Sequence, residues 1–270
     1  MNIQIVSDIH AEFWENKEKF NFIKPSAPFL ALVGDICCCG TDSDFQIFKR
    51  FILEVEPLYE HIFFVTGNHE YYFNTGTFTS ITHDNTMQGI DKKIKSFFTK
   101  TSKKLHFLNN NSITITIKNT SYLIVGSTLW SWIPENDRKF IQTHMNDYSR
   151  IYISTSNRKI RNLIANDIAS IHLKNYRYIK TQITKAKKNK QKLIVLTHHK
   201  PYIGNVTRNE FSVAYESDLS SIINNPIILW GYGHTHVADA TMIKGVLLYS
   251  NPKGYPYEKT KYKPHVSVKI

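Results

Sequence analysis

The sequence predicts an α/β fold. Short apolar runs of strand length recur along the chain, and segments of helical periodicity lie between them. Each run also empties into a polar turn, and the carboxyl ends of strands are where ligand sites gather in α/β sheets.

The first strand is Asn2 to Val6, ending in Ser7, Asp8, Ile9, His10, and the second is Phe29 to Val33, ending in Gly34 and Asp35. Pro25 and Pro28 close the short crossover between them. Asp42 is a plausible N-cap for a helix reaching about Glu56, because Phe45, Phe48, Phe51, Ile52 and Val55 recur at helical spacing and Pro57 stops it. The third strand, Ile62 to Val65, delivers Gly67, Asn68, His69 and Glu70, where the glycine is expected to turn the backbone tightly. Tyr71 to Thr86 reads as a polar loop and Ile90 to Phe98 as a helix with a basic outer face. Ser112 to Ile117 and Tyr122 to Val125 form a hairpin expected to turn at Asn119 and Thr120.

Ile133 to Ser156 lacks clear periodicity but carries Asp137, Arg138, His144, Asn146, Asp147, Tyr148 and Arg150, so it reads as a long loop forming a rim or lid. A long helix is expected from Arg158 to about Lys185, with Ile160, Ile164, Ile168, Ile171, Ile179 and Ile183 as its apolar stripe. Lys185, Lys187, Lys188, Lys190 and Lys192 crowd its end, suiting the negative pole of the helix dipole. Leu193 to Leu196 is a further strand, ending in Thr197, His198, His199; Ile227 to Trp230 is another, ending in Gly231 through His236. Final strands near Val246 to Tyr249 and Val266 to Val268 flank Asn251 to Pro256. With no internal repeat and no Pro/Gly/Ser-rich seam, residues 1–270 are expected to form a single domain.

Composition narrows the function classes. The 270 residues are 41% hydrophobic, and no apolar run is long enough to cross a bilayer. Met1 to Val6 enters a strand without a basic or long apolar leader, so an intracellular, cytoplasmic protein is expected. The net charge of +12 favours polyanionic or phosphorylated partners, although the richness in Lys, Asn, Ile and Tyr offers a purely compositional source for it. All 3 cysteines are adjacent, Cys37 to Cys39, which suits neither a disulfide nor a zinc spacing and points to a reduced compartment.

The strand ends share a chemistry. They carry Asp8 and His10, then Asp35, then Asn68 and His69, then His198, then His234 and His236. Strand alternation would place Asp8 and His10 on one face, and likewise His234 and His236. Carboxylate, imidazole and amide without thiols is a ligand set suited to manganese, iron or zinc. His199 would face away from such a set, in an outer or a packing role. Trp130, Tyr148, Arg150 and Tyr255 are candidates for a substrate cleft, Arg150 by pairing with phosphate oxygens; core packing and solvation are the competing readings.

In this order, Asp8-Ile9-His10, Gly34-Asp35, Gly67-Asn68-His69-Glu70, His198 and Gly233-His234-Thr235-His236 resemble the calcineurin-like metallophosphoesterase superfamily. Met145-Asn146-Asp147-Tyr148 and Asn251-Pro252-Lys253-Gly254-Tyr255-Pro256 resemble a branch of small, mostly predicted phosphoesterases of bacteria and viruses. The resemblance implies a four-layer α-β-β-α sandwich of two mixed β-sheets flanked by helices, with a dinuclear metal site at the strand carboxyl ends. It implies one divalent ion on Asp8, His10, Asp35 and His236 and a second on Asp35, Asn68, His198 and His234, with Asp35 as the bridge. Mn²⁺ is the expected ion, with Fe, Zn and Mg as alternatives. The implied activity is phosphate-ester hydrolysis, phosphodiester favoured over monoester, by a metal-activated hydroxide with His69 as proton donor. Glu70 is expected to orient His69 or a ligating histidine. The substrate would be a phosphate ester, with nucleotide and nucleic acid as candidate classes. A binding module with little turnover and a nuclease on polymeric DNA or RNA are the competing functions.

Overall fold

The computed structural model describes residues 1–14, 20–74, 80–204 and 208–270. In chain order the strands are β1 (Asn2–Val6), β2 (Phe29–Val33), β3 (His61–Val65), β4 (Leu105–Phe107), β5 (Asn111–Ile117), β6 (Thr120–Ser127), β7 (Tyr152–Ser154), β8 (Ile160–Asn162), β9 (Lys192–Thr197), β10 (Ile227–Tyr232), β11 (Asp239–Ile243), β12 (Val246–Ser250) and β13 (Val268–Lys269). The helices are α1 (Asp42–Val55), α2 (Met87–Thr101), α3 (Arg138–His144), α4 (Asp147–Arg150), α5 (Ala165–Lys188) and α6 (Ser212–Tyr215).

Two large mixed sheets face each other. The first has the order β13-β1-β2-β3-β4 and the second β11-β12-β10-β9-β6-β5; β7 and β8 form a separate ribbon. Within the first sheet β1 to β4 are parallel and β13 antiparallel. In the second, β6, β9, β10 and β12 are parallel, with β5 and β11 antiparallel at the edges.

Period-two alternation assigns each strand's residues to layers. Ile3, Ile5, Ala31, Val33, Phe63 and Val65 of the first sheet meet Ile124, Ile194, Leu196 and Leu229 of the second in a shared core. On the outer face of the first sheet, Val6, Leu30, Leu32, Ile62 and Phe64 pack beneath Phe48, Phe51 and Ile52 of α1 and Ile90, Ile94 and Phe98 of α2. On the outer face of the second, Leu123, Val125, Leu193, Val195 and Trp230 pack under Ile179, Ile183 and Ala186 of α5. The result is the α-β-β-α sandwich. Central strands are buried on both faces, and each fully buried Phe, Ile or Leu contributes about 1.5–3 kcal/mol.

Several boundaries differ from the sequence expectation, each for a local reason. The N-cap of α1 is Thr41, whose hydroxyl accepts from Asp44 N at 3.1 Å; Asp42 is the first helical residue, where its charge suits the positive pole. The hairpin turns at Lys118 and Asn119, both at positive φ (45° and 65°), and Thr120 already belongs to β6. The long helix starts at Ala165 rather than Arg158. Ile160 to Asn162 pair with β7 instead, and Asp167 receives both Ile164 N (3.0 Å) and the Arg161 guanidinium (2.7 and 2.8 Å), which fixes the turn into α5.

Ile133 to Ser156 is not a loop. It holds α3, α4 and β7, elements too short for periodicity to register, and buries Ile141, Asp147 and Tyr148. The polar stretch from Tyr71 begins with buried Tyr71, Tyr72 and Phe73. Residues 75–79 of that expected loop lie outside the described residues.

Candidate active site

β1, β2 and β3 in one sheet and β9 and β10 in the other all point their carboxyl ends to one place, where the polar strand ends converge. Strand alternation is not what brings Asp8 beside His10, or His234 beside His236. All four lie beyond the strands at positive φ (53°, 50°, 68° and 53°), as does Asp35 (53°). Such backbone is costly for non-glycine residues and concentrates at functional sites. Backbone bonds hold it there: Asp8 N donates to Gly34 O and His10 N to Asp35 O, each at 3.0 Å, and Gly233 N donates to His198 O at 2.9 Å.

The glycines serve a different purpose from the tight turn expected of Gly67. A Cβ on Gly67 would lie 2.7 Å from His198 Nε2, and one on Gly34, at φ 88°, would meet the same imidazole. Both positions give the ring room against the backbone.

Two donor clusters result. In the first, His10 Nε2 lies 3.2 Å from His236 Nε2, which lies 3.3 Å from Asp8 Oδ1. In the second, His198 Nε2 lies 3.2 Å from Asn68 Oδ1, 3.1 Å from His234 Nδ1 and 3.3 Å from Asp35 Oδ2. Asp35 also groups with His10 and His69, which puts its carboxylate between the clusters.

Their chemistry fits divalent cations. His198 Nδ1 donates to Val33 O at 2.9 Å and His236 Nδ1 to Glu258 Oε2 at 2.6 Å, so in the neutral rings both Nε2 atoms carry lone pairs. Those lone pairs face carboxylate, amide and imidazole acceptors, an arrangement that is repulsive unless a cation sits among them. Donor atoms bonded to one metal at about 2.0–2.2 Å and at 90–109° lie about 3.0–3.5 Å apart, matching the separations found. The same field attracts protons. Burial alone would lower His198, but the Asp35 and Asp8 carboxylates raise it to about 9. His236 is likewise depressed by burial and raised to about 9 by Asp8 and Glu258.

His69 sits beside both clusters. Its backbone N–H donates to Asp35 Oδ1 (2.9 Å), its Nδ1 faces Glu12 Oε1 (3.3 Å), and its Nε2 faces the Tyr255 hydroxyl (3.0 Å). Its ring stacks on Tyr72 with centroids 4.3 Å apart. Burial works against the charge of Glu12, but hydrogen bonds to His10 and His69 keep its carboxyl below the usual carboxylate range. His69 is raised: burial lowers it, and Asp35 and Glu12 more than compensate.

Glu70 does something other than orient a histidine. Its carboxylate accepts from the backbone N–H groups of Gly67 (2.5 Å), Ile36 (2.6 Å), Asp35 (3.0 Å) and Cys37 (3.3 Å). It thereby ties the loop bearing Asp35 to the loop bearing Asn68. Burial and the neighbouring Asp35 raise its carboxyl to about 7, while the Gly67 and Ile36 N–H groups favour the ionised form, whose bonds to them are charge-assisted.

The remaining candidates separate cleanly. His199 is buried behind the ligand set, its Nδ1 donating to Thr128 O (3.3 Å) and its ring against His234 at 4.1 Å; burial and the neighbouring His198 lower it to about 3, so it supports His234 as a neutral ring. Trp130 and Tyr148 are core residues. Arg150 is exposed at the rim, its guanidinium 5.6 Å from the Tyr72 centroid. The cysteines are buried, with thiols pushed up chiefly by burial, and Cys38 donates to Glu12 Oε1 at 3.3 Å.

Sequence reasoning missed Glu12 and Glu258, which grip His69 and His236; Asp147, read there as part of a rim, is instead buried, and burial raises its carboxyl to about 6. Glu12 stands two residues after His10, a spacing that could have flagged it. Glu258 carried no local signal.

A two-sheet sandwich with carboxylate, imidazole and amide donors gathered at its strand ends defines a class, the metal-dependent hydrolases of phosphoric esters. The chain belongs to the calcineurin-like phosphoesterase family, whose model matches residues 1–238. It is 32% identical over 292 residues to Uncharacterized protein L509 of Acanthamoeba polyphaga mimivirus, spanning 99% of this chain and 96% of that one. Among solved structures it is similar to phosphopantetheinyl hydrolase (PptH) from Mycobacterium tuberculosis, with a TM-score of 0.68, 14% identity, and coverage of 94% of this chain and 90% of that one. At that identity the likeness is one of fold.

Proposed function

We propose that this protein hydrolyses phosphodiesters in preference to monoesters at a pair of divalent cations, Mn²⁺ in the first instance. The observation that carries the reading is the pair of donor clusters in which lone pair faces lone pair, with Asp35 between them. Asp8, His10, Asp35 and His236 would hold one ion, and Asp35, Asn68, His198 and His234 the other. Bound there, the cations would neutralise charge on the phosphoryl oxygens and make a nearby water more acidic.

The chain's own residues supply the rest. Glu258 and the Val33 carbonyl fix the tautomers of His236 and His198, leaving their Nε2 lone pairs toward the clusters. Glu12 takes the Nδ1 side of His69 and favours its doubly protonated form, so that Nε2 is the atom with a proton to give. Hydrolysis then forms a bond from water oxygen to phosphorus as that water gives one proton to solvent, breaks the ester P–O bond, and the departing oxygen takes the His69 proton, which solvent replaces. Tyr255 stands against the same Nε2. Arg150, exposed beside Tyr72, adds positive charge that attracts phosphate oxygens. Residues 1–270 act as one unit in this reading, because β11, β12 and β13, all beyond residue 238, complete both sheets.

The test is turnover of bis(p-nitrophenyl) phosphate and p-nitrophenyl phosphate with Mn²⁺ and after chelation. The expected result is metal-dependent hydrolysis, faster on the diester. Equal or faster hydrolysis of the monoester overturns the diester preference. Turnover of neither ester favours the binding-module reading instead.

A further inference from the structure

The mouth of the site carries a row of aromatic rings whose faces the chemistry above does not use. Tyr255 stacks on the His10 imidazole with centroids 4.2 Å apart and 26° between planes, and Tyr257 stacks on Tyr255 at 5.5 Å and 17°. Phe13 meets Tyr255 edge-on at 5.5 Å and 82°. The row therefore runs from the donor clusters outward to solvent.

Its outer members are open. Phe13 is 54% exposed and Tyr257 81% exposed, although both adjoin a buried polar site. Tyr255, between them, is fixed: Glu258 accepts from its backbone N–H at 2.9 Å while holding His236 at 2.6 Å. One carboxylate thus couples the position of the ring to that of a ligand histidine. Lys259, Lys261 and Lys263, on the same segment, are exposed, in a chain of net charge +12. Solvent-open aromatic rings, together with positive charge that attracts phosphate, are the two components of sites that hold unstacked bases along a phosphate backbone.

We propose that Phe13, Tyr255 and Tyr257 form a base-stacking platform, so that the substrate is a phosphodiester carrying a nucleobase. This rests on the phosphoesterase reading above. A planar base packs among the open rings of Phe13 and Tyr257, Phe13 lying 6.2 Å from the His10 ring, so that the ester phosphorus can reach the donor clusters beside His10. Every base has a π-face, so the platform selects for a base without strongly choosing among bases.

The test compares p-nitrophenyl thymidine 5′-phosphate with methyl p-nitrophenyl phosphate in the presence of Mn²⁺. The two share a leaving group and differ only in the nucleoside. The expected kcat/KM is about tenfold or more higher for the nucleoside ester, expressed mainly in KM, as one stacked base supplies. Tyr257→Ala should bring the ratio toward unity, and Tyr257→Trp should keep it. Hydrolysis of both esters at equal kcat/KM overturns the platform and leaves the phosphoesterase reading standing, whereas turnover of neither ester overturns that reading itself. A third arm, the p-nitrophenyl ester of a short thymidylate oligomer, separates the sources of the base. A preference that grows with length assigns the platform to the end of a nucleic-acid strand, and one already complete with the mononucleoside assigns it to a nucleotide.

Discussion

At the scale of single residues, the site divides into groups that face the donor clusters and groups that hold them. In the proposed reaction His69 moves the proton: Glu12 and Asp35 anchor it, and its Nε2 faces the Tyr255 hydroxyl. His69→Ala is therefore expected to lower turnover of bis(p-nitrophenyl) phosphate by roughly 10² to 10⁴ while retaining bound metal, the range typical of a lost general acid. Steady-state kinetics with elemental analysis of the same preparation checks this; near-wild-type turnover removes His69 from the mechanism. The residues facing the clusters were legible in the sequence because each follows an apolar strand. What the sequence could not carry was how they are held. Five of them lie in left-handed backbone that no alternation argument anticipates, and Glu258 finds its histidine through a turn set by Tyr255. Glu70 is expected from the sequence to orient His69 or a ligating histidine, whereas a 3-10 turn over His69–Tyr71 folds its carboxylate back onto backbone N–H groups.

At the scale of elements, strands buried on both faces declared themselves as unbroken apolar runs, and β1, β2, β3, β9 and β10 emerge close to where they were expected. Short elements did not: β4, β7 and β8 are each three residues long, and α4 and α6 four, below the window over which periodicity can be read. One pair of elements makes a pH prediction away from the site. His61 on β3 and His106 on β4 share a hydrogen bond of 2.8 Å between Nδ1 and Nε2. Burial lowers His106 to about 4, with help from His61, and burial also lowers His61. Unfolded histidine takes up a proton near pH 6.5, whereas folded His106 does so only near 4, so the unfolded chain binds more protons across that window. This contribution to stability is present above pH 6.5 and is lost as pH falls toward 4. Since His106 is only partly buried, it is worth on the order of 1 kcal/mol after solvent screening. Denaturant unfolding at pH 7 and pH 4.5 should show His106→Gln losing about that much less stability than wild type on acidification; equal losses would contradict the assignment.

At the scale of the whole molecule, the sandwich brings two sheets' strand ends together, and the donors drawn from them repel one another unless protons or metal cations lie among them. Metal binding and folding are therefore linked. Saturating Mn²⁺ at about a hundred times its dissociation constant should add about 2.7 kcal/mol per site to the unfolding free energy. In a chain of this size that raises Tm by several degrees, measurable by calorimetry with and without chelator. Among the described residues no helix is long and apolar enough to cross a membrane. The overall class was legible because separate strand ends agreed with one another, whereas the charge of +12 spoke to partners and not to fold. The most direct test of the central claim is a titration of Mn²⁺ into chelator-treated protein, with bound metal and diester hydrolysis followed on the same samples. The account predicts saturation at a pair of ions per chain with activity rising as they bind, and loss of both in Asp35→Asn; full-rate hydrolysis by the metal-free protein, or undiminished metal binding in Asp35→Asn, would contradict it.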